Sequence, residues 1–287
     1  MSRYAAMFER LAGRPSTSSG RADFGGASDQ LWSGRGEIAF GGFLMLGYPD
    51  AARCADLLDA LVEGGCDMVE VGIPFSDPVA DGPVIAATAK QALEAGVRTG
   101  DCIAMIAAFR ERHPDIPVGI LTYANIVVAR GREKFCAELA EAGADSLLVA
   151  DVPSIEAEPW AAAAVTAGID PVLIAAPTTP EPALATIAQL GRGYTYCVAR
   201  LGVTGAGVAP AMGHRKLFDD LARLGAAPPV LGFGISTPDH VAAAVAAGAA
   251  GVISGSALVE RAALPDGIEQ VRALCAAMKR ASRVAID

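Results

Sequence analysis

The run Val230-Leu231-Gly232-Phe233-Gly234-Ile235-Ser236, the helical pattern Pro238–Ala247 closed by Gly248, and the run Gly251-Val252-Ile253-Ser254-Gly255-Ser256 decide the fold. They read as strand, glycine turn, helix, left-handed glycine cap, strand and second glycine turn. Neither apolar run alternates with polar residues, which is what a sheet covered by helices requires. A hydropathy window over residues 241–259 resembles a membrane span in length, but Gly248, Gly251 and Gly255 split it into an alanine-rich helix and a short strand. No membrane segment is expected.

The same unit recurs outward from this stretch. Apolar runs at 38–46, 67–72, 117–121, 146–150, 171–175 and 194–198 precede the two already quoted. Helical patterns lie between them at 51–63, 91–95, 103–112, 132–142, 156–167, 181–189 and 215–223. Ala142-Gly143 and Ala167-Gly168 repeat the helix-ending pair. Eight such units in about 250 residues predict an α/β chain folded as one (β/α)8 TIM barrel domain over residues 1–287. A doubly wound open sheet is the competitor, and no GxGxxG follows the first strand. Tyr4, Phe8 and Leu11 share a helical face with Met7 beside them, so an N-terminal helix should pack on one barrel end. Residues 15–36, rich in Ser and Gly, read as a flexible insertion before the first strand.

Composition narrows the function. The 287 residues carry 23 basic and 32 acidic side chains, a net charge of −9, which argues against nucleic-acid or anionic-membrane partners. Cys54, Cys66, Cys102, Cys136, Cys197 and Cys275 form no CxxC pair and read as buried thiols of a reducing compartment, the cytoplasm. With three dispersed histidines, no metal site is expected.

In a barrel of this type, chemistry sits at the C-terminal ends of the strands. Glu70 lies in an otherwise apolar strand, where a charge is costly unless used or paired. Burial would raise its pKa and suit it to giving and taking a proton. Asp81 follows in a Pro- and Gly-rich loop. The plainer alternative is a buried Glu satisfied by backbone and an Asp capping the next helix. The turns at Gly232–Ser236 and at Ser254-Gly255-Ser256-Ala257 stand where such barrels bind phosphate, and Ser256 opens a helix. Ordinary capping turns are the alternative there. Residues 200–207, with three glycines and no apolar anchor, read as a lid.

At these residues the chain resembles the tryptophan synthase alpha chain family. Glu70 to Pro83 matches its signature closely. Leu121-Thr122-Tyr123-Ala124-Asn125, residues 145–153, Gly191-Arg192-Gly193-Tyr194-Thr195-Tyr196, Gly202-Val203-Thr204-Gly205 and the Gly232 turn follow in family order. The resemblance implies retro-aldol cleavage of indole-3-glycerol phosphate to indole and glyceraldehyde 3-phosphate in tryptophan biosynthesis. It assigns proton transfer to Glu70, stabilisation of the indole cation to Asp81, and a place against the reacting centre to Tyr196. Phe43, Leu121, Leu148, Ile174 and Phe233 would line the indole pocket. Gly205, Phe233, Gly234, Gly255 and Ser256 would bind phosphate, with Thr204 in the lid.

The resemblance also implies an α2β2 assembly with a beta chain that carries pyridoxal phosphate, with no cofactor in this chain. Asp77, Pro78, Asn125 and Pro153 would face that partner. Two departures from the family pattern are Met45 near the mouth and Gly207-Val208-Ala209-Pro210 after the Thr-Gly pair. Two neighbouring readings are a stand-alone indole-forming lyase, marked by loss of partner-facing residues, and a weakly catalytic activator of the beta chain, marked by a damaged carboxylate pair.

Overall fold

A computed structural model describes residues 2–13, 37–198 and 213–283. The expected insertion at 15–36, Thr204, Gly205 and residues 207–210 lie outside the described residues.

The strands are β1 (Ala39–Met45), β2 (Met68–Gly72), β3 (Val118–Thr122), β4 (Ser146–Val149), β5 (Asp170–Pro171), β6 (Leu173–Ala175), β7 (Thr195–Val198), β8 (Pro229–Gly232) and β9 (Gly251–Ser254). All pair in parallel in the order β5-β4-β3-β2-β1-β9-β8-β7-β6. The expected strand at 171–175 is thus β5 and β6 together, broken at Val172. Its first half pairs with β4 and its second with β7, so this one strand joins the two ends of the sheet into an eight-stranded barrel. Across the break, the Val172 amide donates to the Leu147 carbonyl at 3.0 Å. The fold is the TIM barrel expected from the alternation.

Every residue of β1, β2, β3, β8 and β9 is buried. Val69 and Val71 of β2 lie on the opposite face from Glu70, because strand side chains alternate. That is why apolar runs with a single inward charge can be built into such a sheet. Gly168 and Gly248 end their helices at φ +83° and +87°, the left-handed caps the Ala-Gly pairs predict. The stretch 241–259 divides between helix Pro238–Ala247, β9 and helix Ser256–Ala262. Among the described residues, no helix is long and apolar enough to cross a membrane. All six cysteines are buried and unbridged.

Helix α1 (Arg3–Leu11) buries Tyr4, Met7, Phe8 and Leu11 at the N-terminal end of the barrel. Each such side chain removed from water is worth about 1.5–3 kcal/mol. The Tyr4 hydroxyl meets Ser146 Oγ at 2.9 Å, Arg3 pairs with Asp145 at 2.9 Å, and Arg10 pairs with the buried Asp67 at 3.0 Å. Lys279 reaches the same Asp67 at 2.7 Å from a C-terminal helix, Gly267–Ala281, that the sequence reading did not anticipate.

Two helices begin earlier than expected. One runs Pro83–Glu94 instead of 91–95, with Gly82 as its N-cap and Pro83 at its first position, where a missing amide costs nothing. The other runs Thr99–Arg112 instead of 103–112. A short helix, Ala124–Arg130, and a 3₁₀ turn, Ser154–Glu156, follow β3 and β4.

Candidate active site

Glu70 sits in the middle of β2, 3% exposed, opposite Phe43 of β1 in register. Its Oε1 accepts a hydrogen bond from the Tyr194 hydroxyl at 2.9 Å. Burial pushes its carboxyl from the ordinary 4.5 to about 7; the Tyr194 bond opposes this and the nearby Asp81 charge adds to it. The group is therefore poised to exchange a proton near neutrality.

Asp81 ends the loop after β2, just before the Gly82 cap. The Tyr123 hydroxyl, at the end of β3, donates to Asp81 Oδ2 at 2.9 Å and accepts from the Ala80 amide at 3.3 Å. Its ring also stacks on Phe75, centroids 5.1 Å apart. One tyrosine thereby clasps both sides of the loop. Burial raises the Asp81 carboxyl to about 6, against the lowering effect of the Tyr123 bond. The capping alternative for Asp81 is not realised, because that helix has no side-chain cap.

Both carboxylates face one cavity of about 240 Å³. Its walls include Phe43, Leu121, Tyr196, Phe233, Gly234, Gly255 and Ser256 from the sequence prediction. Tyr196 meets Phe233 edge to face at 5.7 Å. Leu148 and Ile174 are not among the walls. They pair in register with Leu121 and Tyr196, one strand further round, and the cavity stops at those two residues. Val84, Ile85 and Ile253 supply apolar wall instead. Met45 is buried, its Sδ and Cε filling the space over Gly72.

The far end of the cavity is built by two turns. Phe233 is the one non-glycine among the described residues with positive φ, at +58°, and Gly234 follows at +82°. Such a conformation costs about 1–3 kcal/mol and persists only where the surroundings fix it. Ser254 Oγ donates to the Ile235 carbonyl at 2.7 Å and ties the two turns together. Ser256 and Ala257, whose amides have no acceptor within the helix that Ser256 opens, line the same cavity. Glu260 borders the cavity as well, so the wall holds three carboxylates and, among the described residues, no cation. Among the described walls, the donors available to an anion are neutral amides and hydroxyls.

Asp77, Asn125 and Pro153 are exposed and Pro78 half-buried, in the segments that follow β2, β3 and β4. They are not brought into the cavity. Beside them stand three exposed apolar side chains, Val79, Val128 and Ile155.

Sequence reasoning gave no role to Tyr194, Tyr123 and Glu260, and named Ser236 only as the end of the Gly232 turn. The signal for the tyrosines was faint: each is a tyrosine at or beside a strand, where aromatic residues are common anyway.

The model of the tryptophan synthase alpha chain family matches residues 31–285. A tryptophan synthase alpha chain from Klebsiella pneumoniae is 50% identical over 226 residues, covering 79% of this chain and 84% of the relative. One from Escherichia coli is 46% identical over 245 residues, covering 85% and 91%. A chain in a structure of Mycobacterium tuberculosis tryptophan synthase superimposes with a TM-score of 0.82 at 32% identity, covering 99% of each chain. A barrel with Glu70 and Asp81 facing one largely apolar cavity, matched across nearly its whole length, belongs to the tryptophan synthase alpha chain family.

Proposed function

We propose that this chain cleaves indole-3-glycerol phosphate to indole and glyceraldehyde 3-phosphate. The observation that carries the reading is the pair Glu70 and Asp81 facing one apolar cavity that ends in two glycine turns. With its carboxyl near 7, Glu70 is partly protonated at neutral pH. It gives that proton to carbon 3 of the indole, which becomes an indoleninium cation. Asp81, ionised above about 6, accepts a hydrogen bond from the indole N–H and offsets the charge. The Glu70 carboxylate then takes the proton of the glycerol hydroxyl next to the ring. The carbon–carbon bond breaks, its electron pair returns to the indole, and the hydroxyl carbon becomes the aldehyde. Stabilising a cation that exists only along the reaction path is differential binding of the transition state.

Phe43, Leu121 and Phe233 hold the indole plane, with Tyr196 against the reacting carbon. The phosphate is held by the amides of Phe233, Gly234, Gly255 and Ser256 and by the Ser256 hydroxyl, with Gly205 contributing an amide and Thr204 belonging to the lid. We assign no cofactor to this chain. The partner is a pyridoxal-phosphate-dependent beta chain in an α2β2 assembly, docked on the segments bearing Asp77, Pro78, Asn125 and Pro153. Exposed Val79, Val128 and Ile155 give that face the apolar character a partner would cover. The compartment is the cytoplasm.

The test is indole release from indole-3-glycerol phosphate by the purified chain, with and without a beta chain. Slow release accelerated by the partner supports the reading. Fast release indifferent to it would make the chain a free lyase, and no release in either condition would overturn the proposal.

A further inference from the structure

Ser236 closes the strained turn that begins at Gly232, and it borders the cavity. Its amide donates to His240 Nδ1 at 3.3 Å, and its hydroxyl lies 3.3 Å from the same nitrogen. An amide can only donate, so Nδ1 is the acceptor, and the Ser236 hydroxyl donates to it as well. One nitrogen gathers both donors of Ser236.

The imidazole is well placed to act as a post. His240 stands in the first turn of the helix Pro238–Ala247, where Thr237 caps through its side chain and the His240 amide donates to the Thr237 carbonyl at 3.1 Å. Val241 and Ala244 of the same helix are fully buried. The helix is thus anchored in the core, and the ring projects from a fixed base. His240 does not border the cavity, so it reaches a ligand only through Ser236.

Such a post matters where the described walls offer an anion only neutral donors. A lysine or arginine tolerates misplacement because charge acts at a distance. Neutral amides and hydroxyls bind only when aligned. The turn also holds Phe233 in a left-handed conformation that the chain would not keep unaided. Ser254 Oγ on the Ile235 carbonyl fastens it from one side, and His240 Nδ1 on Ser236 fastens it from the other.

We infer that His240 is a positioning residue: by accepting from the Ser236 amide and hydroxyl, it holds the Gly232–Ser236 turn in the shape that binds the substrate's phosphate. The inference rests on the phosphate assignment proposed above. Loss of the post weakens phosphate binding and leaves the carboxylates and the indole slot as they were.

The experiment compares the full chain with His240→Ala and His240→Asn. Calorimetry reads the affinity for glycerol 3-phosphate and for indole separately, and steady-state kinetics reads KM and kcat. His240→Ala should bind glycerol 3-phosphate about three- to tenfold more weakly, as loss of one or two neutral hydrogen bonds implies. Its KM should rise in proportion, with kcat and indole affinity within about twofold of the parent, a loss confined to the phosphate end. Asparagine places Oδ1 where Nδ1 lies and should restore most of the affinity. Unchanged phosphate affinity in His240→Ala would overturn the inference, as would equal loss in His240→Asn or an equal loss of indole binding. A parent chain that takes up no glycerol 3-phosphate would instead overturn the phosphate assignment, and the inference with it.

Discussion

The Tyr194 hydroxyl donates to Glu70 Oε1 across 2.9 Å, linking the residue just before β7 to the middle of β2. Tyr194 is itself propped from below by the ring of Tyr4, centroids 5.2 Å apart, and both tyrosines are buried. The N-terminal helix therefore supports the floor on which the candidate proton donor rests.

Removing that donor should change how tightly Glu70 holds its proton. The bond favours the ionised carboxylate, so Tyr194→Phe raises the Glu70 pKa above its present value of about 7. The alkaline limb of the pH–rate profile should move to higher pH. A limb that stays in place would show that Tyr194 does not govern Glu70.

The two carboxyls predict the shape of that profile. In the proposed mechanism Glu70 must be protonated to supply carbon 3, so activity should fall as pH rises through about 7. In the same mechanism Asp81 must be ionised to accept the indole N–H, so activity should fall as pH drops through about 6. A narrow bell in kcat/KM follows, with limbs that belong to the interacting pair. Because the Asp81 charge helps raise Glu70, Asp81→Asn should remove the acid limb and shift the alkaline limb downward, in addition to slowing the reaction.

Stability should respond in the opposite sense to a paired carboxylate. The folded-state pKa of Glu70 is about 7 against an ordinary 4.5, so between those values the folded chain holds a proton that the unfolded chain has lost. Stability therefore falls as pH rises through this window, and the cost, about 3 kcal/mol, is complete above pH 7. Glu70→Gln should be more stable than the parent at pH 8 and nearly equal to it at pH 4.5. Denaturant titrations at the two pH values read the difference.

Gly232 is constrained by its closeness to Tyr196. A Cβ there would lie 1.9 Å from the Tyr196 hydroxyl oxygen and 2.1 Å from the ring carbon that bears it. Gly232→Ala must therefore displace Tyr196, which borders the cavity, or the turn that follows. Activity should drop at least tenfold, since small misplacements at a reacting centre are costly. Activity within twofold of the parent would mean that Tyr196 is not held where the chemistry needs it.

The barrel was legible because its signals are local: uniformly apolar strands, Ala-Gly helix ends and glycine turns. Glu70 stood out because a charge in an apolar strand is expensive unless it has work or a partner. Its partner was not legible. Tyr194 lies 124 positions away in the chain, and Tyr123 lies 42 positions from Asp81. Only the closure of the barrel brings them together. The reach of the cavity was hidden for the same reason. Inward-facing Leu148 and Ile174 look like Leu121 in sequence, and which of them borders open space depends on how the interior fills. The break at Val172 reflects how β5 and β6 divide their pairing between β4 and β7, which no local pattern announces.

In the proposed reaction Glu70 carries the proton for carbon–carbon cleavage. That role is tested most directly by the turnover of indole-3-glycerol phosphate in Glu70→Gln, measured beside the affinity of the same preparation for that substrate. Indole release should fall by about 10²–10⁴-fold with affinity nearly unchanged. Release at the parental rate would contradict that role.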